Sequence, residues 1–265
     1  MDKDTFSKLK VADIKALFET EQALEILPLA QEDDRSSVQK LAASYIKRQE
    51  KELKEQQRLM SMYDYEGMFY DQGIYHVAGV DEVGRGPIAG PVTVAAVILP
   101  PMTLIPCLND SKKLTEEKRE ALYDIIMEEA VAVSCISYGP DKIDELNIYE
   151  ATRQAMYEAI RTLSVPAEAV VADAMKLPDL TIPVESIIKG DSKSANIAAA
   201  SIIAKVTRDR YMKQLDEEYP GYGFGIHKGY YTELHKEAVE QQGVTPLHRK
   251  SFEPIKSIVR WVKPE

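Results

Sequence analysis

A chain of 265 residues, 45% hydrophobic and 29% charged, can bury a sizeable core and lacks the composition of a disordered or fibrous polymer. A net charge of −10 argues against broad, non-specific attraction to a polyanion. The charge is uneven, however: residues 73–204 hold most of the excess acid, and residues 205–265 are mildly basic.

The start, MDKDTFSKLK, has charges of both signs and no apolar h-region, and no apolar run approaches a membrane span. The expected setting is the cytoplasm, away from membranes. Cys107 and Cys135 have no Cys or His partner at metal-ligand spacing and read as reduced core residues, although a disulfide between them stays open.

Residues 1–70 read as a helical extension, and 71–265 as a second, larger domain. Val11, Ile14, Leu17 and Phe18 share one helical face, as do Val38, Leu41, Ala42, Tyr45 and Ile46. The second pattern dissolves into KRQEKELKEQQR, polar on every side, as expected of a solvated helix joining two bodies. Such an extension either aids solubility or serves as a substrate-binding arm.

From Tyr75 the texture changes. YHVAGVDEV and VTVAAVILP predict two strands joined by a Gly/Pro bend, and LTEEKREALYDIIMEEA predicts an amphipathic helix capped by Thr115. VAVSCISYG reads as a third strand, DELNIYEATRQAMYEAIRTL as one helix, and AVVADA and VESIIKG as two further strands. A long helix follows over SANIAAASIIAKVTRDRYMKQLDEEYP, ended by Pro220. A shorter one covers TELHKEAVEQQG, with Thr232 as N-cap and Gly243 beyond its end. Early strands in succession and later strands alternating with helices predict a mixed α/β sheet with helices packed on it.

Four acids stand where an apolar pattern ends: Asp81 and Glu82 after HVAGV, Asp173 after AVVA, and Asp191 after SIIKG. Taken singly, Asp173 reads as a turn acid and Asp191 as a helix N-cap. The adjacent pair is harder to explain structurally. Neighbouring strand residues point to opposite faces, so one charge of the pair is directed toward the core, where an unpaired carboxylate costs several kcal/mol. A bound cation removes that cost. Sites in such sheets lie at strand ends, so the acids can converge. Carboxylates with few histidines suit Mg²⁺ or Mn²⁺ rather than Zn²⁺, and such a cluster can hold two ions roughly 4 Å apart.

Elsewhere, Ser111, Lys112 and Lys113 precede a helix and can grip backbone phosphates, or form an ordinary solvated charge run. His227, His235 and His248 form neither a ligand set nor a catalytic triad, and are expected to be structural or to touch phosphate.

AGVDEVGRGPIAGPV, NDSKKL, VVADA, IIKGDSKSANIAAASIIAKVTRDRYM, YPGYGFGIHKGYYTELH and HRKSF, in this order over roughly residues 75–255, closely resemble bacterial ribonuclease HII. The first 70 residues resemble the helical extension that some members carry. The resemblance implies the ribonuclease H fold, a mixed five-stranded sheet flanked by helices. It also implies a metal-dependent endoribonuclease that hydrolyses the RNA strand of RNA–DNA hybrids and incises 5′ of single ribonucleotides in duplex DNA, leaving 5′-phosphate and 3′-hydroxyl ends. It implies Asp81, Glu82, Asp173 and Asp191 as the metal-binding catalytic acids.

It further implies Gly84-Arg85-Gly86 as the triplet that reads the ribonucleotide, and Tyr230 as the residue packed on the next sugar. On this reading the glycines let backbone approach the 2′-hydroxyl, the group that separates RNA from DNA. Arg85 either holds a phosphate, locks the loop or pairs with one of the acids. The related ribonuclease HIII lacks this triplet, and DNA-cutting transposases and integrases need no 2′-hydroxyl reader. All four acids are present, which argues against a catalytically dead hybrid-binding protein. A monomer acting on hybrid or ribonucleotide-containing duplexes is expected.

Overall fold

The computed structural model describes residues 1–260 and 263. It divides into two compact units, Met1–Arg58 and Leu59–Glu265. In the first, α1 (Lys3–Ser7), α2 (Val11–Leu17), α3 (Ala23–Gln31) and the start of α4 (Ser36–Ser61) bury a small core around Phe6, Ile14, Phe18, Ile26 and Val38. Of the first predicted apolar face, Ile14 and Phe18 are buried but Val11 is exposed. The polar stretch 47–58 is helical and solvated.

The second unit is built on five strands: β1 (Val77–Val83), β2 (Val92–Ile98), β3 (Ala132–Tyr138), β4 (Ala169–Asp173) and β5 (Val184–Ile187), in the order β3-β2-β1-β4-β5. β1, β2 and β3 form an antiparallel meander, whereas β4 pairs parallel to β1 and β5 parallel to β4. The sheet is therefore mixed, as the sequence pattern predicts.

Two long helices cover its faces. On one side α8 (Ile148–Arg161) lays Ala155, Met156, Ala159 and Ile160 against Ala78, Val80, Val94, Ala96 and Ile98. On the other, α9 (Ala195–Glu218) packs so closely on β1 that a Cβ at Gly79 would lie 2.0 Å from the Asn196 carbonyl carbon. Only glycine fits there. The buried Asn196 side chain completes the contact, donating to Val77 O at 2.6 Å and accepting from Leu99 N at 3.3 Å.

The remaining helices are α6 (Glu116–Glu129), α7 (Pro140–Leu146), α10 (Phe224–His227), α11 (Glu233–Gln242) and α12 (Ile255–Val259). Thr115 and Thr232 cap α6 and α11 as expected. The single helix predicted over 144–163 is two, because Asn147 adopts φ +74° and turns its side chain to accept from Tyr149 N and Glu150 N. That residue ends α7 and starts α8. Cys135 is half-buried on β3, whereas Cys107 is exposed rather than in a core. Among the described residues no helix is long and apolar enough to cross a membrane.

The structure also redistributes residues 59–70. Leu59, Met62 and Tyr63 lie in the core of the second unit beside Leu99, Leu108 and α9, and the Tyr63 hydroxyl donates to Thr103 O at 2.6 Å. From α5 (Asp64–Tyr70), fully buried Glu66 receives the Ser194 hydroxyl at 2.5 Å and Asn196 N at 3.1 Å, at the first turn of α9. Burial holds the Glu66 carboxyl above its usual range. Leu59, Met62 and Tyr63, within the stretch read from sequence as extension, thus contribute to the core of the second unit.

The two possible truncations should behave differently. A chain starting at residue 59 should fold cooperatively. One starting at residue 71 forfeits the burial of Leu59, Met62 and Tyr63, at about 1.5–3 kcal/mol each, and removes the Glu66 carboxylate that accepts from the Ser194 hydroxyl and Asn196 N. It should lose roughly 5 kcal/mol or more, enough to aggregate a typical domain. Urea unfolding of the two truncated chains side by side checks this, and equal midpoints would refute the assignment of residues 59–70 to the core.

Candidate active site

Register brings the acids together. β1 and β4 run parallel with Val80 opposite Ala172, so the next residues, Asp81 and Asp173, lie level on adjacent strands. Alternation then decides the face. Val77, Val171 and Ile197 of α9 share one cluster, and Ala78, Val80, Val170 and Ala172 share the opposite one, so Asp81 and Asp173 face α9. β5 leads through Lys189, at φ +58°, into a 3-10 turn at Gly190–Ser192 that presents Asp191. Gly190 N donates to Asp173 Oδ1 at 2.8 Å, fastening this turn to β4. Asp191 is not the N-cap of α9; Ser194 is, accepting from Ile197 N.

One carboxylate oxygen each from Asp81, Asp173 and Asp191 lies within 4.8 Å of the others. Glu82 stands off this trio. Its Oε1 accepts from Arg85 Nη1 at 3.0 Å, and its Oε2 is buried with no partner among the described residues. Burial, then the charges of Glu82 and Asp173, push the Asp81 carboxyl well above the usual range; burial and then Asp110 and Asp173 raise Asp191. Desolvated like charges and an orphaned carboxylate oxygen are what a hard, oxygen-seeking divalent cation relieves, so the donor set fits such an ion.

The other expected residues fall into two groups. Lys112 and Lys113 are exposed on the 3-10 turn Ser111–Lys113, with Lys112 Nζ 3.5 Å from Asp191 Oδ2. Ser111, in contrast, is buried, and its hydroxyl pairs with that of Ser201 at 2.7 Å. Its hydroxyl is turned to the interior. Arg85 pairs with Glu82 at 3.0 Å, one of the three roles the sequence left open.

Within the Gly84-Arg85-Gly86 triplet, Arg85 and Gly86 are exposed and Gly84 is buried. Gly84 sits at φ +87°, and a Cβ on it would lie 2.3 Å from Arg208 Nε and 2.7 Å from Pro91 O. Packing and backbone conformation alone therefore require glycine at this position. At Gly86 the nearest atom to a Cβ would be Tyr230 Cε1, at 3.5 Å, so the half-exposed tyrosine stands beside the exposed end of the triplet.

His227, His235 and His248 form a buried cluster behind Tyr230. His235 Nδ1 donates to Tyr230 O, and His248 Nδ1 accepts from Thr245 N; His248 Nε2 therefore donates to His235 Nε2 at 3.1 Å. This pattern requires both rings neutral, and burial lowers both to about 4. They are structural. Sequence reasoning missed Ser201, Glu66, and the buried Arg208 and Arg249. Arg208 leaves a trace, since it continues the line Ala200, Ala204, Met212 along the buried side of α9.

The sheet, its flanking helices and the strand-end acids define a ribonuclease H fold, and comparisons agree. Ribonuclease H2 from Pyrococcus horikoshii OT3 superposes with a TM-score of 0.61 at 27% identity, covering 69% of this chain and 97% of that one. The ribonuclease HII in a PCNA complex from Archaeoglobus fulgidus gives 0.53 at 26% identity, covering 67% and 95%. The family model for ribonuclease HII matches residues 78–255, and that for the ribonuclease HII N-terminal domain matches residues 10–70. Ribonuclease HII of Bacillus cereus (strain B4264) is 53% identical over 232 residues, 88% of this chain and 90% of its own. That of Bacillus anthracis is 54% identical over 228 residues, 86% and 88% respectively. The chain belongs to the ribonuclease HII family, endoribonucleases that cleave the RNA of RNA–DNA hybrids.

The two glycines of the triplet should separate by substitution. Gly84→Ala forces a side chain into a left-handed backbone against Arg208 and Pro91, and should cost at least about 2 kcal/mol of stability. Gly86→Ala meets ordinary contact only and should change stability by less than about 0.5 kcal/mol while impairing cleavage. Thermal melts paired with cleavage rates test the contrast; equal destabilisation would remove the distinction.

Proposed function

We propose that this enzyme recognises a single ribonucleotide within duplex DNA and incises on its 5′ side, leaving 5′-phosphate and 3′-hydroxyl ends. The observation that carries this reading is the placement of the Tyr230 ring against Gly86, with only Val83, Gly84 and Arg85 between Gly86 and Glu82. A sugar contact and the acid cluster are then one short loop apart, so recognising the ribonucleotide also positions its phosphate.

In this reading Asp81, Asp173 and Asp191 are the principal metal-binding acids, and Glu82 adds the oxygen that has no partner in the protein. Bound divalent cations, Mg²⁺ or Mn²⁺ and two during catalysis, supply Lewis-acid stabilisation of the attacking and leaving oxygens. Exposed Lys112 and Lys113 contact backbone phosphates, fixing register without reading sequence. Backbone groups of the triplet hydrogen-bond the 2′-hydroxyl, and Arg85 holds Glu82 until substrate arrives. Ser111 acts from beneath, through Ser201. A site built to bond a hydroxyl rejects a substrate lacking it by about 10⁴-fold or more, because its polar groups would otherwise go unpaired.

Asp173→Asn keeps shape but removes a ligand charge. It should lower cleavage by roughly 10³-fold or more while folding and hybrid binding persist. Comparable rates in variant and parent at saturating Mg²⁺ and Mn²⁺ would sink the metal assignment.

Tyr230→Ala should reduce incision at one embedded ribonucleotide by about tenfold or more, by misplacing the scissile phosphate. A long hybrid, which offers many registers, should lose less. Initial rates on both substrates decide the matter: equal losses would make Tyr230 a general packing residue.

A further inference from the structure

Two arginines of the second unit are almost wholly buried, Arg208 at 1% and Arg249 at 0% exposure. Their partners are main-chain carbonyls. Arg249 donates to Gly84 O at 2.6 Å, Arg85 O at 3.0 Å, and Gly90 O at 3.0 and 2.9 Å through two nitrogens. Arg208 donates to Pro91 O, Lys228 O and Ala89 O. Burying a guanidinium against neutral acceptors is costly, so what the bonds position needs an explanation.

Peptide geometry supplies it. In a trans peptide the C=O and the following N–H belong to one plane and point in opposite directions. The Gly84 carbonyl shares its plane with the Arg85 N–H, and the Arg85 carbonyl with the Gly86 N–H. By drawing both carbonyls inward, Arg249 turns these two N–H groups outward, at the two residues of the triplet that are exposed. Among the described residues no acceptor within the protein takes either hydrogen. The same segment is laced to its surroundings by Ile88 N to Gly229 O, Gly90 N to Leu247 O and Arg249 N to Ile88 O, so the fork sits on a fixed base.

We propose that Arg249 is the positioning residue for ribonucleotide selectivity: its guanidinium fork holds the Gly84 and Arg85 carbonyls and so pre-aims the Arg85 and Gly86 amides at the 2′-hydroxyl. The inference rests on the triplet reading that hydroxyl. Arg249 itself touches no substrate. Its chemistry is replaceable only in part, because lysine keeps the charge but offers no planar fork to span two carbonyls.

The test separates selectivity from folding and from catalysis. In an Asp173→Asn background, which binds without cutting, a duplex with one ribonucleotide competes against the same duplex in all-deoxy form. The ratio of the two affinities is independent of how much of a preparation is folded. Arg249→Met should reduce the parent's preference by about tenfold or more, the worth of one good hydrogen bond to an aimed donor. Arg249→Lys should lose less. A preference unchanged in Arg249→Met overturns the proposal, and so does equal weakening on both duplexes, which leaves the ratio intact. Absence of any preference in the Asp173→Asn parent would instead overturn the reading of the triplet itself.

Discussion

The close approach of β1 to the first turn of α9, possible only because residue 79 lacks a side chain, governs the rest of the catalytic unit. With no Cβ in the way, the Asn196 amide reaches the main chain of both β1 and the end of β2, locking the height of the helix on the sheet. That height determines where Ser194 caps, where the Gly190–Ser192 turn lies and therefore where Asp191 meets Asp81 and Asp173. The carboxylates do not attract one another; they are held together by packing some distance away. Stored repulsion of this kind becomes affinity once a cation enters, which is why a rigid frame matters more here than any contact among the acids.

The sheet and the acids were legible in the sequence because both rest on local rules. Alternation identifies strands, and a charge after an apolar run marks a strand end. The parallel pairing that sets Asp81 level with Asp173 is non-local, and no short window contains it. Residues 59–70 show the same limit from another side. Their periodicity is that of any amphipathic helix, and nothing in Leu59, Met62 or Tyr63 says which core they join. Asn147 was readable in principle, with Glu150 three residues on, yet an unbroken helical pattern on both sides hid it. Gly84 shows a subtler limit. The motif pointed to the right residue, but only the structure shows that Arg208 and Pro91 fill the space a side chain would need.

Beyond the acids, the site is built largely from main chain. The Gly84–Pro91 segment carries its carbonyls to two buried guanidinium groups, while the neutral histidine cluster holds Tyr230 O through His235. Charge is thus used in two ways in one small region. Negative charge is gathered at the strand ends, eased only by the exposed Arg85 and Lys112, and positive charge is kept inside where geometry has to be held. The mildly basic C-terminal stretch therefore contributes less to attracting a polyanion than its composition suggests, since Arg208 and Arg249 are turned inward.

The bond from Ser194 to Glu66 spans 128 residues of sequence. On the ribosome, Glu66 emerges long before its partner, and Leu59, Met62 and Tyr63 emerge long before the helix that covers them. Until α9 has been made, these apolar side chains have no cover, a state prone to wrong association. The twelve-residue run KRQEKELKEQQR lies immediately upstream, and eight of its residues are charged. Charged residues flanking an apolar segment oppose wrong association while its partners are still missing, a consequence of this run that the finished fold does not display.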